Sequence, residues 1–341
     1  MNVLQVGTSL HSWGGIERYI TYLSSGLEER GHTVTVASPA GSPLAERLPT
    51  NAPIQARGKF DLRAIGACTK LIRERKIEIV HAHYSPDFWV AGLAARLGKA
   101  RVTLATRHIA EPWGKSKAGL YQRLFAHFIP VSDAVQSVLL QSGVPASRMT
   151  VALAGCPPLQ PTRPRSEVRD GYRMQGTVFG YFGRLNKEKG VEVAIQAATE
   201  AGTRLAIFGQ GDQEAALRDL GHAAFYGRVE EVDNAMSAVD AVVIPSVWAE
   251  AFPFVGLEAM SLAKPILASR IGGLPEMMED GVTGLFFEPG NRSELAALMQ
   301  SILNDGDRAS QVGAAAQRAH RERFTVAAMA ERIEAVYTKL I

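Results

Sequence analysis

The chain is poor in cysteine, in long apolar runs and in net charge. Its 341 residues hold two cysteines, Cys68 and Cys156. They lie far apart and match no metal or redox spacing, which excludes a disulfide scaffold and a dithiol centre and suggests reduced thiols in a cytosolic protein. No stretch approaches the roughly 18 apolar residues of a membrane span. Met1-Asn2-Val3-Leu4-Gln5-Val6 runs straight into a strand pattern. It has no basic start, apolar stretch or cleavage site of a signal peptide, so a cytoplasmic location is expected. G-x-G-x-x-G is missing and no P-loop lysine follows the early glycines, which counts against a dinucleotide or P-loop site.

Hydrophobic residues make up 46% and charged residues 21%, an ordinary balance for a soluble enzyme, and the length suits two domains. The net charge of +3 conceals an asymmetry: residues 1–155 hold 18 basic against 10 acidic side chains, residues 156–341 hold 19 against 24. The excess is sharpest from Arg96 to Pro130. Arg96, Lys99, Arg101, Arg107, Lys115, Lys117 and Arg123 face one acid there, Glu111, with Trp113, Tyr121, Phe125 and Phe128 interleaved. Such a segment suits an anionic membrane surface or an anionic substrate, and a solvated basic face equally well.

Short apolar runs alternate with helical patterns twice over, which predicts two α/β domains with parallel sheets covered on both faces. In the first half the strands are Val3–Val6, Thr33–Ala37, Ile77–His81, Val102–Ala105 and Phe128–Val131. Helices fall near 16–30, 61–75, 87–97, 116–127 and 133–142. Prolines 157, 158, 161 and 164 then crowd a stretch that no helix or central strand tolerates. The predicted division is a first domain over 1–155, a proline-rich linker over 156–176 and a second domain over 177–323. Ligands of such doubly wound sheets bind at the carboxyl ends of the strands, and the default site of two such domains is a cleft between them.

Three stretches can carry chemistry. Gly14-Gly15 follows the first strand and opens the first helix, where backbone N–H groups can meet an anion or simply make a tight turn. Gly183-Arg184-Leu185-Asn186-Lys187-Glu188-Lys189-Gly190 puts three cations in six residues at a strand-to-helix turn, which a diphosphate needs and an exposed basic loop also explains. Glu250 and Glu258 bracket seven uncharged residues. Pro253 starts a helix at about Phe254, so Glu250 falls on the loop before it and Glu258 near the end of its first turn. Each carboxylate needs a partner; sugar or ribose hydroxyls would serve, as would a helix dipole for Glu258 and solvent for Glu250.

The run Glu250-Ala-Phe-Pro-Phe-Val-Gly-Leu-Glu258, followed by Lys264-Pro265, Gly272-Gly273-Leu274-Pro275-Glu276 and Asp280-Gly281-Val282-Thr283-Gly284, resembles the signature of retaining glycosyltransferases of family 4. Gly183-Arg184-Leu185 with Lys189-Gly190, and Gly14-Gly15 with Arg30-Gly31-His32, resemble the same family's other elements. The resemblance implies the GT-B architecture, two Rossmann-like domains facing across a cleft, with residues 324–341 crossing back to the first domain. It implies a hexosyltransferase that needs no cofactor or metal and uses a UDP- or GDP-linked sugar. The acceptor would be a sugar or lipid-linked hydroxyl in cell-envelope glycan or glycolipid synthesis. No nucleic-acid partner is expected; a peripheral place on the inner membrane face is.

Carried over by position, Arg184 and Lys189 would clamp the diphosphate, Glu258 would hold the ribose, and Glu250 and His108 would flank the transferred sugar. Gly14, Gly15, Gly227, Arg228, Val229, Phe252, Pro253, Phe254 and Val255 would complete the donor site. Arg107, Trp113, Lys115, Lys117 and Arg123 would serve the acceptor or membrane side. The sequence departs from the family at Pro253, where glycine is usual and an N–H is lost, and at Ala263, where a helix-ending glycine is expected. A sugar-nucleotide 2-epimerase, a glycan phosphorylase and a non-catalytic nucleotide-binding protein are the alternatives.

Overall fold

The structure, a computed structural model, describes residues 1–221 and 223–341. They form two compact units: Met1–Cys156 together with Phe324–Ile341, and Pro157–Arg323.

The first unit is built on β1 (Asn2–Val6), β2 (Thr33–Ser38), β3 (Asn51–Pro53), β4 (Ile79–Ala82), β5 (Val102–Arg107) and β6 (His127–Pro130). All pairings are parallel, in the order β3-β2-β1-β4-β5-β6. The chain starts mid-sheet, winds outward to β3, and returns to the other side of β1 with β4. Parallel strands covered on both faces need apolar residues at successive positions, and Val3, Leu4, Ile79, Val80 and Ala82 are all fully buried. Leu4, Val80 and Ala105 face the helices Leu62–Glu74 and Phe88–Gly98 in one core.

On the opposite face lie the helix Gly15–Glu29 and the last helix, Val326–Leu340. Just beyond the first of these helices, His32 Nε2 meets Glu334 Oε1 of the last helix at 2.8 Å, and Arg30 Nε donates to Glu334 Oε2 at 2.7 Å. Tyr337 reaches inward to the middle of the sheet, where its hydroxyl is 2.7 Å from His81 Nδ1.

The second unit repeats the plan with β7 (Val178–Phe182), β8 (Arg204–Phe208), β9 (Ala223–Gly227), β10 (Ala241–Ile244), β11 (Ile266–Ser269) and β12 (Leu285–Phe287). Its order is β12-β11-β10-β7-β8-β9, again parallel. Phe179, Tyr181, Ile195, Ile207, Val243, Leu267, Phe287 and Met299 share its core.

The proline-rich stretch does not hang free. It carries a helix, Arg165–Gly171, and is stitched to the second unit along its length. Gln160 N–H donates to Asp233 at 2.9 Å, Thr162 N–H to Asn234 at 2.9 Å, and Arg169 Nη1 to the Ala238 carbonyl at 2.8 Å. No helix among the described residues is long and apolar enough to cross a membrane.

Candidate active site

In the second unit β7 and β10 are neighbours, with Phe179 beside Ala241 and Gly180 beside Val242. From β7 the chain winds one way to β9; from β10 it winds the other way to β12. The carboxyl ends of two such strands open a crevice at the point of reversal. The Arg184–Lys189 and Glu250 stretches both lie there, on the loops that leave β7 and β10.

These loops interlock through glycines. Gly190 has φ of 59°, and a Cβ there would lie 2.1 Å from the Pro245 carbonyl oxygen. Gly272, on the loop after β11, has φ of 60°, and a Cβ there would lie 2.2 Å from the Glu250 carbonyl oxygen. Side chains would be strained at both positions and would drive the loops apart. Backbone bonds close the joints: Val247 N–H to Glu188 O at 2.9 Å, and Gly273 N–H to Glu250 O at 2.8 Å.

Glu250 is held from both sides. Lys189 Nζ and Ser246 Oγ each donate to Glu250 Oε1 at 2.5 Å. The pair is largely screened from water, with 24% of the Lys189 side chain and 15% of the Glu250 side chain exposed. Glu250 thus already has a cation and a hydroxyl on one carboxylate oxygen, supplied by loops that the fold brings together. Arg184 differs. Its carbonyl accepts from the buried Tyr181 hydroxyl at 2.7 Å, which fixes the backbone, while its guanidinium is exposed and holds no hydrogen bond or ion pair among the described residues.

The helix Phe254–Ser261 starts after Pro253, as its sequence predicts, and buries Glu258 within it. Phe252 and Phe254 are buried too. Pro253 and Val255 are half-buried. Gly227 ends β9 and its carbonyl accepts from Gly209 N–H at 2.7 Å; Arg228 beyond it is exposed and Val229 half-buried.

In the first unit, Gly14 caps the helix Gly15–Glu29, and its N–H is taken by Glu17 Oε2 at 3.0 Å. The turn before it is tied down by Thr8 Oγ1 donating to the buried Asp87 at 2.8 Å. Burial raises Asp87 to about 6.

His108 follows β5, half-buried, its ring edge-on to Tyr19 at 4.6 Å. Burial, then the neighbouring Arg107 charge, push it down to about 3, so it is a neutral imidazole. Behind it stand residues that the sequence reading passed over: His83, Gln5, His81 and Tyr337. His81-Ala82-His83 at the end of a strand was the available signal.

The basic segment resolves into two parts. Arg107 is buried, donating to Ser85 Oγ and the Glu111 carbonyl at 2.9 Å each, with its guanidinium 5.1 Å from the Trp113 ring centre. Trp113, Tyr121, Phe125 and Phe128 are core residues. Arg107 and Trp113 are thus removed from any surface patch, because the apolar spacing that suggested a membrane face packs against the sheet instead. Lys115, Lys117 and Arg123 do remain exposed on the helix Lys115–Leu124, as does Leu120.

Among the described residues no group of three or more His, Cys, Asp and Glu is placed to hold a metal ion. An Asp-x-Asp run, Asp305-Gly306-Asp307, joins two helices of the second unit, and Asp305 Oδ1 accepts from Arg308 N–H at 2.9 Å.

Two family models match, end to end. Residues 13–156 match "Glycosyltransferase Family 4" and residues 165–319 match "Glycosyl transferases group 1". The chain belongs to the family 4 glycosyltransferases. Among curated relatives, the phosphatidyl-myo-inositol mannosyltransferase of Mycolicibacterium smegmatis is 25% identical over 92% of this chain and 87% of that protein. A glycogen synthase of Mycobacterium tuberculosis is 28% identical over the same shares, 92% and 87%. Anabaena Alr3699/HepE, solved with UDP and with UDP-glucose, superimposes with a TM-score of 0.87 in each case, covering 99% of this chain and 100% of that one at 21% and 22% identity. WaaG, a glycosyltransferase involved in lipopolysaccharide biosynthesis, gives 0.72 at 17% identity, covering 98% and 99%. This glycosyltransferase thus shares the GT-B fold with both.

Proposed function

We propose that this glycosyltransferase moves a sugar from a nucleoside-diphosphate donor to an acceptor hydroxyl, with retention at the anomeric carbon. The observation that carries the reading is the Lys189–Glu250 pair, locked where the second sheet reverses, beside an exposed Arg184 whose guanidinium holds no hydrogen bond or ion pair among the described residues. The UDP and UDP-glucose held by the Anabaena neighbour support a nucleotide-sugar donor.

In this reading Arg184 takes the charge that grows on the departing diphosphate. Lys189 contributes a partly neutralised second cation and holds the Glu250 carboxylate against the transferred sugar. Glu258 receives the ribose hydroxyls. The acceptor hydroxyl attacks the anomeric carbon on the face the diphosphate leaves. As the new C–O bond forms, the bond to the phosphate oxygen breaks, and that oxygen takes the hydroxyl proton. The neutral His108 accepts a hydrogen bond from a substrate hydroxyl. Charge stabilisation comes from the two cations, so turnover should survive chelation of divalent metals.

A lipid-linked or envelope-glycan acceptor is supported by the exposed Lys115, Lys117 and Arg123 and by the names of the mannosyltransferase and lipopolysaccharide relatives. The test is a thermal-shift screen of UDP-, GDP- and ADP-sugars, followed by NMR of the product of the stabilising donor. One donor class should raise the melting temperature and its product should keep the donor's anomeric configuration. An inverted product, or an isomerised sugar without acceptor, would replace the reading.

A further inference from the structure

A chain of polar side chains crosses the buried face of the first sheet, and the proposed reaction leaves most of it without a task. Gln5 on β1 and His81 on β4 are register partners, so their side chains lie on the same face. His83 and His108 extend that face beyond the ends of β4 and β5. His83 Nδ1 lies 3.4 Å from His108 Nε2, and His83 Nε2 lies 2.5 Å from Gln5 Oε1. Gln5 Nε2 reaches the Tyr337 hydroxyl at 3.5 Å, that hydroxyl lies 2.7 Å from His81 Nδ1, and His81 Nε2 lies 2.6 Å from Thr106 Oγ1.

The protons in such a chain run one way. Gln5 turns its carbonyl oxygen, an acceptor only, to His83, so His83 Nε2 carries the hydrogen. Burial depresses His83 well below the usual histidine value, and the ring is neutral with a single N–H. Its Nδ1 is therefore a bare acceptor, and His108 Nε2 must donate to it. His108, also neutral, then has no hydrogen on Nδ1. Beyond Gln5 the same direction holds: its amide donates to Tyr337, Tyr337 donates to His81 Nδ1, and His81 Nε2–H donates to Thr106. Every member finds its partner, as a buried network requires.

We propose that His83 is a positioning residue which, backed by Gln5 and Tyr337, holds His108 as the Nε2–H tautomer and so presents a bare Nδ1 as acceptor for a substrate hydroxyl. The tautomer half stands on the chain alone; the substrate half rests on the reading of His108 given above. The edge-on contact with Tyr19 holds the ring plane while His83 sets its polarity. Tyr337 lies in the last helix, so the device ties that helix to the polarity of His108.

The test is long-range proton–nitrogen NMR of the whole chain labelled with nitrogen-15 histidine, with His108 assigned by its loss in His108→Ala. The wild type should show a protonated Nε2 and an unprotonated Nδ1 at His108. An Nδ1–H tautomer or an imidazolium at neutral pH overturns the proposal. His83→Leu removes the acceptor and should give mixed tautomers, with kcat lowered up to about tenfold, the worth of one lost hydrogen bond, and donor KM little changed. His83→Asn, whose carboxamide oxygen can stand where Nδ1 stood, should restore the tautomer and most of the turnover. An unchanged His108 spectrum in His83→Leu overturns the proposal; should that variant not fold, the wild type and His83→Asn still decide. Full turnover in His108→Ala overturns the substrate half and leaves the tautomer half standing.

Discussion

Arg184 and Lys189 stand five positions apart in one loop, yet their surroundings give them different work. Arg184 is exposed and uncommitted; Lys189 is sheltered and bonded to Glu250. Removing a charge donor aimed at a transition state typically costs about 3–4 kcal/mol. Arg184→Ala should therefore lower kcat/KM by two to three powers of ten, on that estimate, with an unchanged melting temperature. Lys189→Ala should lose both turnover and stability, about 1–3 kcal/mol, because Glu250 keeps only Ser246 as partner in a screened site. Enzyme assays beside thermal melts distinguish the two; equal melts for both variants would refute the locking role of Lys189. The pair was not legible in the sequence. Its members are 61 residues apart, and only the adjacency of β7 and β10 joins them. The bracketing glutamates were visible; the partner of the first was not.

Among the elements, those with an unbroken apolar run were legible to within a few residues. β1, β2, β5 and the helix from Phe254 are examples, because burial on both faces leaves no other reading of such runs. β3 was missed: it has three residues, one of them buried, and ends in proline. The helices Arg165–Gly171 and Val232–Ala238 were missed as well, each too short for two periods of a helical pattern.

Ala263 illustrates a departure that the chain absorbs. It stands where a helix-ending glycine was expected, and it takes the left-handed conformation, with φ of 54°. An alanine held there carries about 1 kcal/mol of strain. Ala263→Gly should raise stability by about that much, read as a higher midpoint in urea; a lower midpoint would contradict the strain. The helix Lys115–Leu124 carries another prediction. Its exposed cations should bind vesicles containing anionic lipid and release them as salt rises. Charge reversal at Lys115, Lys117 and Arg123 should abolish sedimentation with those vesicles. Equal binding to neutral vesicles would leave the helix an ordinary solvated face.

Across the whole molecule, two doubly wound units were expected from the alternation of patterns, and both sheets have the predicted kind of winding. Their interiors differ in polarity. The first buries four histidines with lowered values, His81, His83, His108 and His127, each chiefly through burial. A histidine whose folded value lies below the unfolded 6.5 contributes stability that is whole above that pH and is lost as the pH falls, since the unfolded chain binds the proton first. Asp87, raised to about 6, works the other way between there and its ordinary 3.8. Four lowered histidines against Asp87 and the less buried Glu28, which burial also raises, should make the melting temperature fall from about pH 6.5 to about pH 5. Calorimetry across that interval checks it; a flat or rising profile would contradict the neutral histidine chain.

The proposed function has the loops leaving β7 and β10 hold a nucleoside-diphosphate sugar through Arg184. Titration calorimetry of UDP-, GDP- and ADP-sugars against the wild type and Arg184→Ala tests it most directly. One donor class should bind the wild type, and the variant's Kd should be at least about tenfold weaker, a loss of about 1.4 kcal/mol or more. No binding by any of the three classes, or equal binding by the two proteins, would contradict it.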